Sequence, residues 1–212
     1  MNSLKLNTGD KVVFIGDSIT DCGRMKEFAP LGNGYVSIVV NLVTAKYPER
    51  AIEWVNKGIG GDTVQGLAER WTADVIQEVP TWVSIAIGIN NVASDHGSGI
   101  GKDEALRGFE KSYRQILNRT RSETRAQIIL SEAFFVSEED EERRKFDVNP
   151  YNEIICKLAN EWGGVQLVPL NSAFKQVRSK GTNHSWTTGD GVHPNAAGHT
   201  LIALEILKAL GW

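Results

Sequence analysis

Short apolar runs alternate along the chain with longer segments in which apolar residues return every three or four positions. The runs Lys11-Val12-Val13-Phe14-Ile15, Ile52-Glu53-Trp54-Val55-Asn56, Trp82-Val83-Ser84-Ile85-Ala86-Ile87, Gln127-Ile128-Ile129-Leu130 and Val165-Gln166-Leu167-Val168 are rich in branched and aromatic residues and predict strands. The third is apolar enough to be covered on both faces. Tyr35 to Tyr47 sets Val36, Val39, Val40 and Val43 on one stripe and stops at Pro48, which predicts a helix. A second helix is predicted from Thr63 to Glu78, with Val64, Leu67, Trp71, Val75 and Ile76 inward, Asp62 as its cap and Pro80 beyond its end. Further helices are predicted over Glu104–Arg121, Asn152–Trp162 (ended by Gly163-Gly164), Asn171–Ser179 and Pro194–Leu210. Asp21 to Gly34, the stretch from Gly88 through Gly97, Gly99 and Gly101, and the charge run Ser137 to Lys145 read as loops, the last with an exposed helical turn as its alternative.

Strands and helices alternating at this spacing imply an α/β protein with a parallel sheet, helices on both faces and right-handed crossovers. The chain has no repeat, no low-complexity segment and no linker, so residues 1–212 read as one domain. Ligands of open parallel sheets sit at the carboxyl ends of the strands. Ser18 follows the first strand, Gly61 the second and Asn90 the third, and the Asp190–His193 loop lies beyond the fifth.

Composition narrows the partners. A formal net charge of -3 gives no case for nucleic acid. The first residues hold no apolar leader and no run is long enough to span a bilayer, so a cytoplasmic protein without a membrane partner is expected. Cys22 and Cys156, the only two cysteines, form no CxxC pair and read as free thiols.

A serine hydroxyl becomes a useful nucleophile only beside a base. Of the four histidines His193 is the best candidate, because Asp190 three residues ahead can turn back and accept its ring N–H. Acyl transfer also needs donors for an oxyanion, and a backbone N–H at Gly61 and the side-chain amide of Asn90 are placed to supply them. Taken singly, each of these groups also reads as ordinary turn chemistry. Four strand ends that each supply the required group make the case together.

Gly16-Asp17-Ser18-Ile19, Asn56 through Gly61-Asp62-Thr63, Gly88-Ile89-Asn90-Asn91 and Asp190-Gly191-Val192-His193 resemble, in order, the sequence blocks of the SGNH hydrolases, also called GDSL esterases and lipases. The resemblance implies a flavodoxin-like three-layer αβα sandwich around a mainly five-stranded parallel sheet. It implies Ser18 as nucleophile, His193 as base and Asp190 as its partner, with the Ser18 and Gly61 N–H groups and Asn90 as the oxyanion hole. Two positions depart from the family pattern: Ile19 replaces the leucine of the GDSL name, and Asn91 stands where aspartate is commoner. Thr20-Asp21-Cys22-Gly23-Arg24, Gly32-Asn33-Gly34-Tyr35-Val36, Arg70-Trp71 with Asp74-Val75, and Trp82-Val83-Ser84-Ile85 are similar to the intracellular bacterial branch that contains acetyl xylan esterases, which implies removal of acetyl groups from sugar hydroxyls.

The expected activity is therefore hydrolysis of short-chain esters through an acyl-enzyme. A short-chain lipase or lysophospholipase, and a non-catalytic carbohydrate-binding module on the same fold, stand as alternatives. Asp17, Asn91 and Trp186 are expected as substrate contacts, Trp186 as a wall for a sugar ring. Neither a cofactor nor a metal is expected, because no dinucleotide fingerprint, P-loop or three-ligand set is complete. The expected partner is a small ester, an acetylated saccharide, with a homo-oligomer left open.

Overall fold

The computed structural model describes residues 4–137, 146–180 and 185–212. Beyond Ser137, the charge run expected to Lys145 lies outside the described residues, as does His184. All five expected strands form: β1 (Lys11–Gly16), β2 (Glu53–Asn56), β3 (Trp82–Ala86), β4 (Gln127–Ser131) and β5 (Gln166–Val168). They make one parallel sheet in the order β2-β1-β3-β4-β5. The chain therefore builds outward from β1 to β2, then returns to the other side of β1 and continues through β3 to β5.

That reversal sorts the helices. A right-handed crossover places its helix on one face when the chain moves one way across a sheet and on the other face when it moves back. Helix α2 (Tyr35–Lys46), in the β1–β2 crossover, packs against α8 (Ala196–Ala209), which also meets α7 (Leu170–Ser179). Helices α3 (Val64–Trp71), α5 (Lys102–Glu123) and α6 (Asn149–Trp162) serve the crossovers in the opposite direction and pack on one another. The sheet is thus the middle of three layers, and Trp82, Val83 and Ile85 of β3 are sealed from solvent. Each such side chain contributes about 1.5–3 kcal/mol by leaving water. Among the described residues no helix is long and apolar enough to cross a membrane.

Several elements differ from the sequence expectation. The second helix is capped by Thr63, whose side chain accepts from the Gly66 N–H, and not by Asp62. It widens after Trp71 into a turn over Thr72–Ile76 in which the Gln77 N–H reaches five residues back to the Thr72 carbonyl. The glycine-containing stretch after β3 begins as a helix, α4 (Ile89–Gly97), because Gly88 takes a φ of 141° that lets strand run directly into helix while Ile89 and Val92 are buried. The last helix starts after Pro194, with the Asn195 side chain capping the Gly198 N–H.

Candidate active site

The reversal between β1 and β3 is where an open parallel sheet of this order leaves a crevice at its carboxyl edge. Ser18 sits there, at the start of the one-turn helix α1 (Ser18–Asp21). Asp17 caps that turn, its Oδ1 accepting from the Ile19 N–H at 3.0 Å. Ser18 Oγ lies 2.9 Å from His193 Nε2, and His193 Nδ1 lies 2.6 Å from Asp190 Oδ2. A carboxylate can only accept, so Nδ1 carries the ring proton and Nε2 is left to accept from the serine. The other Asp190 oxygen accepts the Val192 and His193 N–H groups at 2.9 and 2.8 Å. Burial pushes the Asp190 pKa up, but the bonds from the His193 ring and from the two amides outweigh it and hold the carboxyl below its usual value. The His193 and Asp190 side chains are 48% and 46% exposed, so the pair stands open to an incoming ester.

The loop that carries this pair is pinned from several sides. Thr188 N–H bonds the His193 carbonyl at 2.8 Å, Asn195 N–H the Trp186 carbonyl at 3.1 Å, and Val136 N–H the Gly191 carbonyl at 2.8 Å. Gly191 has a φ of 74°, and a Cβ there would fall 2.6 Å from the Phe135 ring, so only glycine lets the loop seat against the segment after β4.

Opposite the histidine, the β2 loop approaches the serine. A Cβ placed on Gly60 would lie 3.9 Å from Ser18 Cβ. Among the described residues neither the Ser18 nor the Gly61 N–H has a hydrogen-bond acceptor, which leaves both donors free. The Asn90 amide donates one proton to the Asp62 carbonyl at 2.9 Å and keeps its second. A hydroxyl backed by imidazole and carboxylate, beside uncommitted donors, can attack a carbonyl carbon and hold the charge that forms on its oxygen.

The three residues expected as substrate contacts fall elsewhere. Asp17 and Asn91 are each 2% exposed. Asp17 is the cap of α1, and burial above all raises its pKa to about 7. Asn91 accepts the Val64 N–H at 3.1 Å and donates to Gln65 Oε1 at 2.7 Å, fastening the start of α3. Trp186 packs against the apolar core with its indole N–H enclosed, and it does not line the cleft beside Ser18 and His193. Polar residues at strand ends read as surface in a sequence, and here backbone N–H groups at helix starts, Ile19 of α1 and Val64 of α3, claim two of them.

Three neighbours have roles that the sequence did not assign. Arg70 joins the loops after β1 and β2, donating to the Gly16 and Lys57 carbonyls and to Asp62. It pairs at 2.7 Å with Asp74 four residues on, within the stretch that resembles the acetyl xylan esterase branch. Asn56 donates to the Thr20 and Leu31 carbonyls and ties α1 to the segment before α2. His199 accepts the Tyr35 N–H at Nδ1 and meets Cys22 Sγ at Nε2, 3.3 Å away. Burial lowers the His199 pKa to about 4 and raises that of Cys22 to about 11, so at neutral pH the pair is an uncharged imidazole and a thiol. Among the described residues no three His, Cys, Asp or Glu side chains converge as a metal site requires.

The model of the GDSL-like lipase/acylhydrolase family matches residues 14–201. An acetylxylan esterase of Geobacillus stearothermophilus is 37% identical over 216 residues, which cover 99% of this chain and 97% of that enzyme. The crystal structure of Axe2, an acetylxylan esterase from the same organism, superposes with a TM-score of 0.87 at 36% identity, over 98% of this chain and 97% of that one. LAE5, an alpha/beta hydrolase from the metagenome of Lake Arreo, Spain, gives a TM-score of 0.85 at 32% identity over 99% and 98%.

Proposed function

The chain belongs to the GDSL-like lipase/acylhydrolase family and is a carboxylic ester hydrolase, and from that premise we propose that Ser18, His193 and Asp190 carry its reaction on acetyl esters of sugars. The observation that carries the assignment is the unbroken chain of contacts from the Ser18 hydroxyl through both ring nitrogens of His193 to Asp190. Solved catalytic mutants of Axe2 replace a serine, an aspartate and a histidine, the last two spaced as Asp190 and His193 are.

The ester carbonyl lies with its oxygen toward the N–H groups of Ser18 and Gly61 and the Asn90 amide. His193 Nε2 takes the hydroxyl proton as Ser18 Oγ bonds the carbonyl carbon. Asp190 keeps the ring in the tautomer that can accept and stabilises the imidazolium formed. Collapse of the tetrahedral species breaks the bond to the alcohol oxygen, which leaves with the proton from His193. Water then attacks the acyl-enzyme by the same route and releases the carboxylic acid. This reaction draws every group it needs from the chain and water.

The acetyl-sugar substrate is the finer part of the reading and rests on the relatives' activity. A panel of acetylated xylosides and p-nitrophenyl esters of rising chain length, run on the native enzyme and on Ser18→Ala, tests it. Turnover of the acetyl compounds that vanishes in Ser18→Ala is the expected result. Activity kept in Ser18→Ala would remove the serine mechanism, and a preference for octanoyl over acetyl esters would move the substrate to lipids.

A further inference from the structure

The cleft beside Ser18 and His193 has a volume of about 380 Å³ and runs toward the Cys22–His199 pair and the start of α8. The side on which it opens matters. On the assignment above, the alcohol oxygen leaves with a proton from His193, so the alcohol half of the ester must lie along the histidine edge, while Gly61 and Asn90 hold the carbonyl oxygen on the other side. This cleft is therefore the place for the alcohol.

Its walls offer little hydrogen bonding of their own. Ile19, Pro194 and Ala196 are apolar. Cys22 and His199 are turned to each other, and the second ring nitrogen of His199 is taken by the Tyr35 N–H. The Asn195 side chain donates to the Ser185 and Thr187 carbonyls and accepts from Gly198. Asn33 differs from all of these. It lines the cleft and is exposed, and its backbone N–H is anchored to the Cys22 carbonyl at 3.0 Å. Among the described residues, its side-chain amide has no partner.

We propose that Asn33 is a specificity-determining contact for the alcohol half of the ester, and that it selects alcohols bearing a further free hydroxyl, as a partly acetylated pyranose does. An amide both donates and accepts, as a hydroxyl does, so one Asn can satisfy a sugar hydroxyl in either sense. Its anchored backbone holds the residue at the wall of the cleft. A site that hydrogen-bonds a substrate hydroxyl disfavours the analogue that lacks it, because the site's own polar group then goes unpaired.

The proposal rests on the triad reading and is tested apart from it. A mono-O-acetylated methyl xyloside and p-nitrophenyl acetate share the acetyl group, and only the first has a free hydroxyl on its alcohol. In Asn33→Ala the ratio of kcat/KM for the xyloside to that for p-nitrophenyl acetate should fall about three- to tenfold, the loss of one neutral hydrogen bond, with the change in KM. A ratio within a factor of two of the native enzyme, or a fall carried by kcat, overturns the assignment of Asn33. If the native enzyme cleaves p-nitrophenyl acetate and no acetylated sugar, the sugar reading fails and this proposal fails with it. Activity that survives Ser18→Ala instead convicts the triad assignment.

Discussion

The Asn90 side chain donates to the Asp62 carbonyl at 2.9 Å, so the loops after β2 and β3 are tied directly behind the proposed oxyanion donors. Asp62 is held in turn by Arg70, whose Nε meets Asp62 Oδ2 at 2.7 Å. The same guanidinium reaches the Gly16 carbonyl at 3.1 Å, two residues before Ser18, and the Lys57 carbonyl at 2.7 Å. One planar fork thus sets the serine turn, the Gly61 loop and Asn90 in a common frame. Lysine cannot reproduce that fork. Arg70→Lys should lower kcat about 10- to 100-fold at nearly constant KM, because small displacements of oxyanion donors act on the transition state. The acid limb of the pH profile should keep its midpoint, since Arg70 does not touch His193 or Asp190. Steady-state kinetics of Arg70→Lys, Asn90→Ala and the double variant check the route. Losses that multiply independently would mean that Arg70 acts elsewhere than through the Asp62–Asn90 link.

Asp190→Asn should cost about 10³- to 10⁴-fold in kcat with the fold retained. The amide oxygen can still accept the Val192 and His193 N–H groups, but the NH₂ side cannot accept the His193 ring proton, and the ring loses the tautomer that faces Ser18. In the native enzyme the Asp190 pKa is depressed, so its stabilising contribution is complete at neutral pH and is lost as pH falls through the folded-state value below the ordinary carboxylate range. His193 accepts the Ser18 proton only as a neutral imidazole, so activity should fall on the acid side as the ring is protonated. A pH–kcat/KM profile of Asp190→Asn that matched the native one in height would contradict this.

The sheet was legible because its strands are short, branched and bounded by glycine and proline, and the Asp190–His193 spacing was legible because both residues lie on one loop. What escaped the reading depends on distant contacts. The helix from Ile89 to Gly97 was hidden by its composition, since only Ile89 and Val92 mark an apolar face and glycines follow. Its existence depends on how Gly88 leaves β3. Asp17 and Asn91 look like free polar residues beside a site until the starts of α1 and α3 bring N–H groups to them. Arg70 stands in a stretch similar to the acetyl xylan esterase branch, but its positioning role exists only because the loops after β1 and β2 meet at its tip.

Val79 is a β-branched residue at a φ of 51°, with 77% of its surface exposed. It closes the turn after Ile76, whose carbonyl accepts its N–H at 3.1 Å. The left-handed region costs an ordinary residue about 1–2 kcal/mol, and glycine returns part of that gain through its freer unfolded state. Because the side chain packs on little, Val79→Gly should stabilise the fold by about 0.5–1 kcal/mol and raise Tm by about 1–4 °C. Thermal melts of Val79→Gly beside Val79→Ala decide the point: alanine keeps a Cβ and should gain less, and equal gains would argue against relief of backbone strain.

Asp17 places an ionisable carboxyl where the fold has almost no water, and its pKa rises to about 7, chiefly through burial and further through Asp62, while His193 and the Ile19 N–H pull it down. A raised acid pKa means that folding disfavours the charged form. The penalty is absent below the ordinary aspartate value of 3.8, grows as pH rises toward 7 and is constant above it. Asparagine accepts the Ile19 N–H as well as aspartate does and carries no charge to bury. The Tm of Asp17→Asn should therefore exceed that of the native protein at pH 8, by a margin that shrinks steadily toward pH 5. Melting curves of both proteins across that range measure it, and a margin independent of pH would mean that the Asp17 carboxyl keeps an ordinary acidity in the fold.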